Sequence, residues 1–204
     1  MKTMTTSRTS TSRAFIIGNG KSREGFDLEQ LRPYGDIYGC NALYRDFEPD
    51  WLIAIDEAIT KEIQDSDFPE NKFIHPLYEE QFEHPEFNPF TRLRSNAGMN
   101  AMIEALKHGK RELICLGFDF VINNELSVSN LYDGTNAYGP ETRTAVQDNL
   151  RRVKYLDWFA TKNSVATIRM VLPKLDNLKV HKMNSKNIRG IFIDELLPYL
   201  NKNV

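Results

Sequence analysis

The sequence feature that most constrains the fold is the apolar run Ala14-Phe15-Ile16-Ile17, which leads directly into Gly18-Asn19-Gly20-Lys21-Ser22. Consecutive apolar residues of this kind are typical of a strand buried on both faces of a parallel sheet. Gly18 and Gly20 allow a tight turn and the close approach of a ligand, because they carry no Cβ. Ser22 and the N–H groups beyond it form a candidate anion site. The pattern predicts a nucleotide-binding turn, with an ordinary strand-to-helix connection as the alternative.

Further apolar segments alternate with helical patterns along the chain. The predicted strands after the first are 36–41, 51–56, 72–75, 112–117 and 165–171, and a short strand or loop precedes a terminal helix near 193–200. The main predicted helices are 57–64, 97–108 and 141–162, the last with Val146, Leu150, Val153, Leu156 and Phe159 on its buried side. This alternation predicts an α/β fold with a mostly parallel sheet, helices on both faces, and two irregular loops (77–94 and 121–142) over the carboxyl ends of the strands.

Length and composition set the domain organisation and exclude some partners. A chain of 204 residues, 41% of them hydrophobic, predicts one Rossmann-like nucleotide-binding domain over residues 14–204, after a Ser/Thr-rich, disordered tail over residues 1–13. The formal net charge of -2 gives no electrostatic reason to expect nucleic acid. No apolar run approaches the roughly 20 residues of a transmembrane helix. Two cysteines without zinc-site spacing favour a reduced, cytoplasmic protein.

Polar residues follow several of the predicted strands. In an open α/β sheet, ligands bind outside the carboxyl ends of the strands. Gly18-Asn19-Gly20, Asn41, Asp56 and the segment Gly117 to Asp119 all stand at such ends. Amides and backbone donors suit a base, a ribose and a phosphate, whereas carboxylates suit proton transfer or metal binding. We therefore expect these residues to form one nucleotide site.

Four segments together resemble the sequence blocks of the bacterial sialyltransferases of glycosyltransferase family 42. The segments are Gly18-Asn19-Gly20-Lys21-Ser22, Gly39-Cys40-Asn41, Arg94-Ser95-Asn96-Ala97-Gly98 and Leu116-Gly117-Phe118-Asp119-Phe120. They stand in the family's order, and the resemblance spans roughly residues 14 to 160. A looser similarity links the chain to the wider Rossmann-like group that includes the archaeal hydroxymethylpterin diphosphokinases.

The resemblance implies a CMP-linked sugar donor, a glycan or other hydroxyl acceptor, no metal cofactor, and assembly into homo-oligomers. It places Asn19, Asn41, Asn96 and Ala97 against the nucleotide or the sugar, with Arg94, Gly98 and Gly117 in matching positions beside them. These residues join Gly18, Gly20 and Ser22 of the first turn in the predicted nucleotide site.

Two departures from the family concern its catalytic residues. Val121 stands where the family has a tyrosine, and Gln147 or a neighbour stands at the position of its catalytic histidine. A glutamine cannot act as a general base, because it does not titrate near neutral pH. The remaining candidates are Tyr132 or Tyr138 for the hydrogen bond to the leaving phosphate, and Asp119 or Asp148 for the base.

The sequence thus predicts a glycosyltransferase that uses a nucleotide-activated, CMP-linked sugar, with sialic acid implied by the resemblance alone. Two alternatives stay open. One is a metal-dependent pyrophosphokinase or phosphoester hydrolase, in which Asp56, Glu57 or Asp119 holds a divalent ion. The other is a nucleotide-binding protein without catalytic activity.

Overall fold

One seven-stranded sheet organises the part of the chain that the structure describes. The structure is a computed structural model, and it describes residues 12–76, 95–142 and 144–203. The strands are β1 (Arg13–Ile17), β2 (Asp36–Cys40), β3 (Trp51–Ile53), β4 (Phe73–Ile74), β5 (Glu112–Leu116), β6 (Thr167–Leu172) and β7 (Ile188–Phe192). They are ordered β4-β3-β2-β1-β5-β6-β7, and every neighbouring pair is parallel. The predicted Rossmann-like α/β fold is confirmed.

Helices cover both faces of this sheet, as predicted. The α-helices in the described residues are α1 (Glu57–Gln64), α2 (Ala97–Lys107), α3 (Val146–Lys162) and α4 (Ile193–Lys202). Alternate residues of β1 point to opposite faces: Ala14 and Ile16 pack in the layer of α2 and α3, and Phe15 and Ile17 in the layer of α1 and α4. None of the described helices has the length and apolar character needed to cross a membrane.

The strand order reverses between β1 and β5. From β1 the chain builds outward to β2, β3 and β4, and α2 then returns it to pair β5 with the other side of β1. Two hydrogen bonds continue this pairing past the strand ends: the Gly18 N–H donates to Leu116 O (2.8 Å) and the Gly20 N–H to Gly117 O (3.0 Å). The first glycine turn therefore lies at the topological switch point, where doubly wound sheets bind their ligands.

One boundary differs from the predicted one, and one open choice is decided by the structure. Arg13 belongs to β1, where it is buried and pairs with Glu112 at 2.7 Å, so the domain begins before residue 14. The rest of the predicted tail, residues 1–11, lies outside the described residues, as does the predicted loop 77–94. At the other end, residues 188–192 form β7, which settles the choice between a strand and a loop.

The start of α3 corrects another prediction. Residues Pro140–Thr142 form a separate 3-10 turn, and the helix begins at Val146 instead of residue 141. Val146 and Leu150 are 60% and 44% exposed, although the sequence pattern placed them on the buried side. The amino end of α3 packs on the 3-10 turns Asp119–Val121 and Glu125–Val128, beyond the strand ends, so these side chains do not reach the sheet. Val153, Leu156 and Phe159 are buried as predicted.

We expect Gly117→Ala to destabilise the protein much more than Gly109→Ala. Both glycines have left-handed backbones (φ +69° and +80°), so either substitution introduces strain on the order of 1 kcal/mol. A Cβ on Gly117 would also stand 2.6 Å from Gly18 O, whereas no described atom lies within 4 Å of a Cβ on Gly109. Urea denaturation should show an additional loss of about 2 kcal/mol for Gly117→Ala. Equal losses of stability in the two variants would contradict this expectation, because they would mean that moving the Gly18 and Gly117 turns apart costs no free energy.

Candidate functional site

A cavity of about 580 Å³ opens at the switch point, over the carboxyl ends of the strands. Its volume lies within the roughly 300–1,000 Å³ that is usual for small-molecule sites. Most residues of the predicted site line it: Gly18, Asn19, Gly20, Asn41, Asn96, Ala97, Gly98, Gly117, Asp119, Tyr138 and Asp148. The fold thus brings together residues from three strand ends (those of β1, β2 and β5), from the start of α2, from α3, and from the 121–142 loop.

Two predicted residues do not line this cavity, and the position of a third is not described. Arg94 lies outside the described residues. Ser22 and Tyr132 are described but do not line the cavity. Tyr132 packs in the core layer of α1 and α4, and burial, followed by the nearby carboxylate of Asp46, raises its pKa. Its hydroxyl group is therefore badly placed for the predicted contact with a leaving phosphate.

The Asp119 carboxylate lies at the Ser22 amide, where the sequence predicts that a ligand phosphate binds. Its carboxylate is 4% exposed, and Oδ2 accepts a hydrogen bond from the Ser22 N–H at 2.9 Å. The carboxylate also lies against Gly20, since a Cβ there would stand 2.5 Å from Oδ2. The Ser22 amide is consequently engaged by the protein's own carboxylate, and Gly20 is required to make room for it.

Two buried oxygen atoms of cavity-lining residues lack hydrogen-bond partners within the described residues: Asp119 Oδ1 and Asn41 Oδ1. Asn41 follows β2 with a left-handed backbone (φ +51°), which asparagine tolerates better than most residues. Burial raises the pKa of Asp119, and the hydrogen bonds from Ser22 and the charge of Arg23 only partly offset this. Buried acceptors normally have a donor. These two oxygens suit hydroxyl or N–H groups of a ligand.

Asn19 joins the ends of β1 and β2 to the 121–142 loop. Its side-chain Nδ2 donates to Cys40 O (3.0 Å) and to Tyr138 Oη (3.3 Å). Its backbone carbonyl accepts from the Leu131 N–H (2.8 Å). Because Tyr138 Oη accepts from Asn19, the phenol keeps its own proton for donation to a ligand. Burial raises the pKa of Tyr138, so the phenol stays neutral near pH 7.

The N-terminus of α2 also points toward the cavity, and Asn96 and Gly98 place it there. Asn96 caps the helix, with Oδ1 accepting from the Met99 N–H at 2.9 Å. A Cβ on Gly98 would stand 2.6 Å from the Phe118 ring, so only glycine lets the turn after β5 pack on this helix. The partial positive charge of a helix N-terminus favours negatively charged ligand groups there.

Asn149 and Arg152 of α3 line the cavity but are absent from the predicted site. Asn149 is buried, donates from Nδ2 to Ser127 O (2.7 Å), and accepts from Arg152 Nη1 (3.0 Å). Helical spacing in the sequence could have identified them. Asn149 and Arg152 stand three or four residues before Val153 and Leu156, on the same face of the helix. A polar residue on the buried stripe of a helix is a candidate site residue.

The charged lining residues are mostly acidic. They are Asp56, Asp119, Asp133, Glu141 and Asp148, together with Arg152. Of the residues predicted for the metal-dependent alternative, Asp56 and Asp119 line the cavity, whereas Glu57 is exposed outside it. Within residues 12–76, 95–142 and 144–203, no three His, Cys, Asp or Glu side chains are grouped closely enough to hold a metal ion.

The fold is similar to that of a solved glycosyltransferase. The structure of MAf glycosyltransferase from Magnetospirillum magneticum AMB-1 matches with a TM-score of 0.50 and 13% sequence identity, over 90% of this chain and 34% of that one. This chain therefore spans about a third of that protein's length. At this identity the similarity shows the Rossmann-like fold alone. No protein family model and no curated protein sequence matches the chain.

We expect Asp119→Asn to change how stability depends on pH. Burial raises the folded-state pKa of Asp119 above its unfolded value of about 3.9. The stabilising contribution of the protonated acid is present below that value and is lost as the pH rises through the folded-state pKa. Between pH 4 and pH 7, urea denaturation should show the wild type losing stability relative to the Asp119→Asn variant. Asp67→Asn, at an exposed position, is the control, and parallel pH profiles for all three proteins would contradict the expectation.

Proposed function

We propose that this chain is a glycosyltransferase that transfers a sugar from a nucleotide-activated donor to a hydroxyl acceptor. The observation that carries the proposal is the pair of buried acceptors at the switch-point cavity, Asn41 Oδ1 and Asp119 Oδ1, which have no hydrogen-bond partner in the described part of the chain. Such acceptors suit the hydroxyl and amino groups of a nucleoside or a sugar. The similar fold of the MAf glycosyltransferase supports this function as well.

The nucleotide of the donor would lie across Asn19, Asn41 and the N-terminus of α2. Its phosphate would face that N-terminus and Tyr138, because the Ser22 amide already binds the Asp119 carboxylate. We propose a CMP-linked donor, with sialic acid as the candidate sugar, on the basis of the sequence blocks that resemble the bacterial sialyltransferases. The 121–142 loop, held to Asn19 by Leu131 and Tyr138, would help to keep water from a reactive donor.

The proposed chemistry is a direct displacement at the anomeric carbon. The acceptor oxygen forms a bond to that carbon while the bond to the phosphate oxygen breaks. The acceptor proton passes to Asp119 Oδ1, and the Tyr138 hydroxyl donates a hydrogen bond to the leaving phosphate. Asp119 suits the base better than Asp148, because no described residue hydrogen-bonds to its Oδ1, while the Asp148 carboxylate lies 3.5 Å from the Arg151 guanidinium.

The acidic lining favours a second candidate, a metal-dependent pyrophosphokinase or phosphoester hydrolase. Carboxylates such as Asp56 and Asp119 are ligands that Mg²⁺ prefers, and Mg²⁺ is often bound by one or two carboxylates together with substrate phosphates. This candidate differs from the first in requiring a divalent cation for turnover.

Nucleotide binding should depend on Asn41. We expect CMP or a CMP-sugar to raise the melting temperature of the wild-type protein, because a ligand of the native state adds stability by mass action. Asn41→Gly keeps the left-handed backbone but removes the acceptor, and should weaken binding about tenfold. Asn177→Gly, at an exposed site with φ +56°, is the matched control. The proposed site is wrong if CMP and UMP compounds give no shift, or if the two variants bind equally well.

Turnover should depend on Asp119. Asp119→Asn removes the proton acceptor but keeps the shape of the side chain, so the transfer rate should fall about 100-fold or more while nucleotide binding persists. Product formation from a CMP-sugar and a panel of hydroxyl acceptors is the measurement. Activity that is lost in EDTA and restored by Mg²⁺ would favour the second candidate, and full activity of Asp119→Asn would exclude the carboxylate as the base.

A further inference from the structure

Arg45 lies outside the cavity lining, yet its guanidinium bridges three segments that surround the site. Nε donates to Glu62 Oε1 of α1 at 2.7 Å. Nη1 donates to Thr135 Oγ1 (2.8 Å) and Nη2 to Asn136 O (2.9 Å), both in the 121–142 loop. Arg45 itself ends the 3-10 turn that begins at Asn41. One planar, five-donor group thus links this turn, α1 and the loop.

Glu62 completes the contact from the opposite side. Its Oε1 accepts from the Tyr44 hydroxyl at 2.5 Å, and its Oε2 accepts from Asn136 Nδ2. Burial raises the pKa of Glu62, but the hydrogen bonds from Tyr44, Arg45 and Asn136 outweigh it, and the net shift is downward. The carboxylate therefore stays charged, and both members of the ion pair hold Asn136. We call this arrangement the Arg45–Glu62 clamp.

The clamp holds the loop immediately before Tyr138. The turn there is closed by its own backbone, since the Gly134 N–H donates to Tyr138 O (2.9 Å) and the Tyr138 N–H to Thr135 O (3.0 Å). Holding Thr135 and Asn136 therefore also positions Tyr138. The Arg45 guanidinium carbon lies 5.9 Å from the centre of the Tyr138 ring, within the range of cation–π attraction.

The loop is attached to the strand ends at two places with different chemistry. On the side of Leu131 it is held by backbone pairing, with the Leu131 N–H donating to Asn19 O and a bridge between Gly20 and Asn130. On the side of Tyr138 the hydroxyl group is held by the 3.3 Å hydrogen bond from Asn19 and by contacts with the Asn41 side chain and the Ala42 backbone, and the clamp supports it. Loss of the clamp would loosen the tyrosine end of the loop and leave the other end in place.

We propose that Arg45 is a positioning residue, which holds the Tyr138 hydroxyl at Asn19 for its contact with the leaving group. The proposal rests on the function proposed above, since it assigns Arg45 to the placement of one group in that reaction. Arg45 acts through Tyr138 and touches neither donor nor acceptor.

Arg45→Met should expose this role, with Arg32→Met as the matched control. Arg32 forms the same kinds of contact away from the cavity: an ion pair with Glu29, a hydrogen bond to Glu48 O (2.9 Å), and a cation–π contact with Phe47 (4.6 Å). Hydrogen exchange of the Gly134 and Tyr138 amides should accelerate in Arg45→Met and remain unchanged in Arg32→Met. Arg45→Lys keeps the positive charge but loses the planar group of five donors, and it replaces the methionine variant in the test if that variant does not fold.

Kinetics then connect the clamp to Tyr138. We expect Arg45→Met to lower kcat about tenfold with little change in KM, because the tyrosine acts on the leaving group in the transition state. Arg45→Met combined with Tyr138→Phe should be no slower than Tyr138→Phe alone, whereas independent effects would multiply. Unchanged amide exchange, or multiplying kinetic effects, overturns the proposal. Faster exchange in a protein that binds no nucleotide and transfers no sugar would uphold the clamp as the support of Tyr138 and refute the proposed reaction.

Discussion

The structure depends on the contact between two glycine turns at the point where the sheet reverses its order. Gly18 and Gly117 approach so closely that a Cβ on either would stand 2.6 Å from the carbonyl oxygen of the other. This contact continues the pairing of β1 and β5 past the strand ends, through the amides of Gly18 and Gly20. Every cavity-lining group that follows these two strands takes its position from it.

The same contact decides which chemistry the site offers. It brings Asp119 against the first turn, where the carboxylate accepts a hydrogen bond from the Ser22 amide. The turn that the sequence predicts as a phosphate site therefore presents a hydrogen-bond acceptor, Asp119 Oδ1, to the cavity. In the proposed function, negative ligand groups would lie at the N-terminus of α2 and beside Tyr138. In the proposed complex, a donor hydroxyl group on Asn41, the donor phosphate toward Tyr138 and an acceptor hydroxyl group on Asp119 would satisfy both ends of the cavity.

Local patterns were enough to predict six of the seven strands, most helices and the cluster of polar residues at the strand ends, because parallel strands bring their carboxyl ends to one edge. Local patterns failed where a contact with a residue far away in the sequence determines the structure. The Ser22 amide is engaged by a carboxylate 97 residues away, and the Arg45–Glu62 clamp joins segments with no shared pattern. Val146 and Leu150 follow helical spacing, yet the helix starts beyond the sheet that would bury them.

The pairing of β1 with β5 has a consequence for how the protein folds. Arg13 and Glu112, which face each other in the register of these strands, are 99 residues apart in sequence. Contacts of such high sequence separation form slowly. While the chain is being synthesised, β1 to β4 can assemble first, and β1 then presents an open apolar edge until more than half of the chain has been made. The ligand site is therefore expected to form late in folding. The partly folded chain with β1 to β4 paired is the species most prone to aggregation, because the edge of β1 is unpaired.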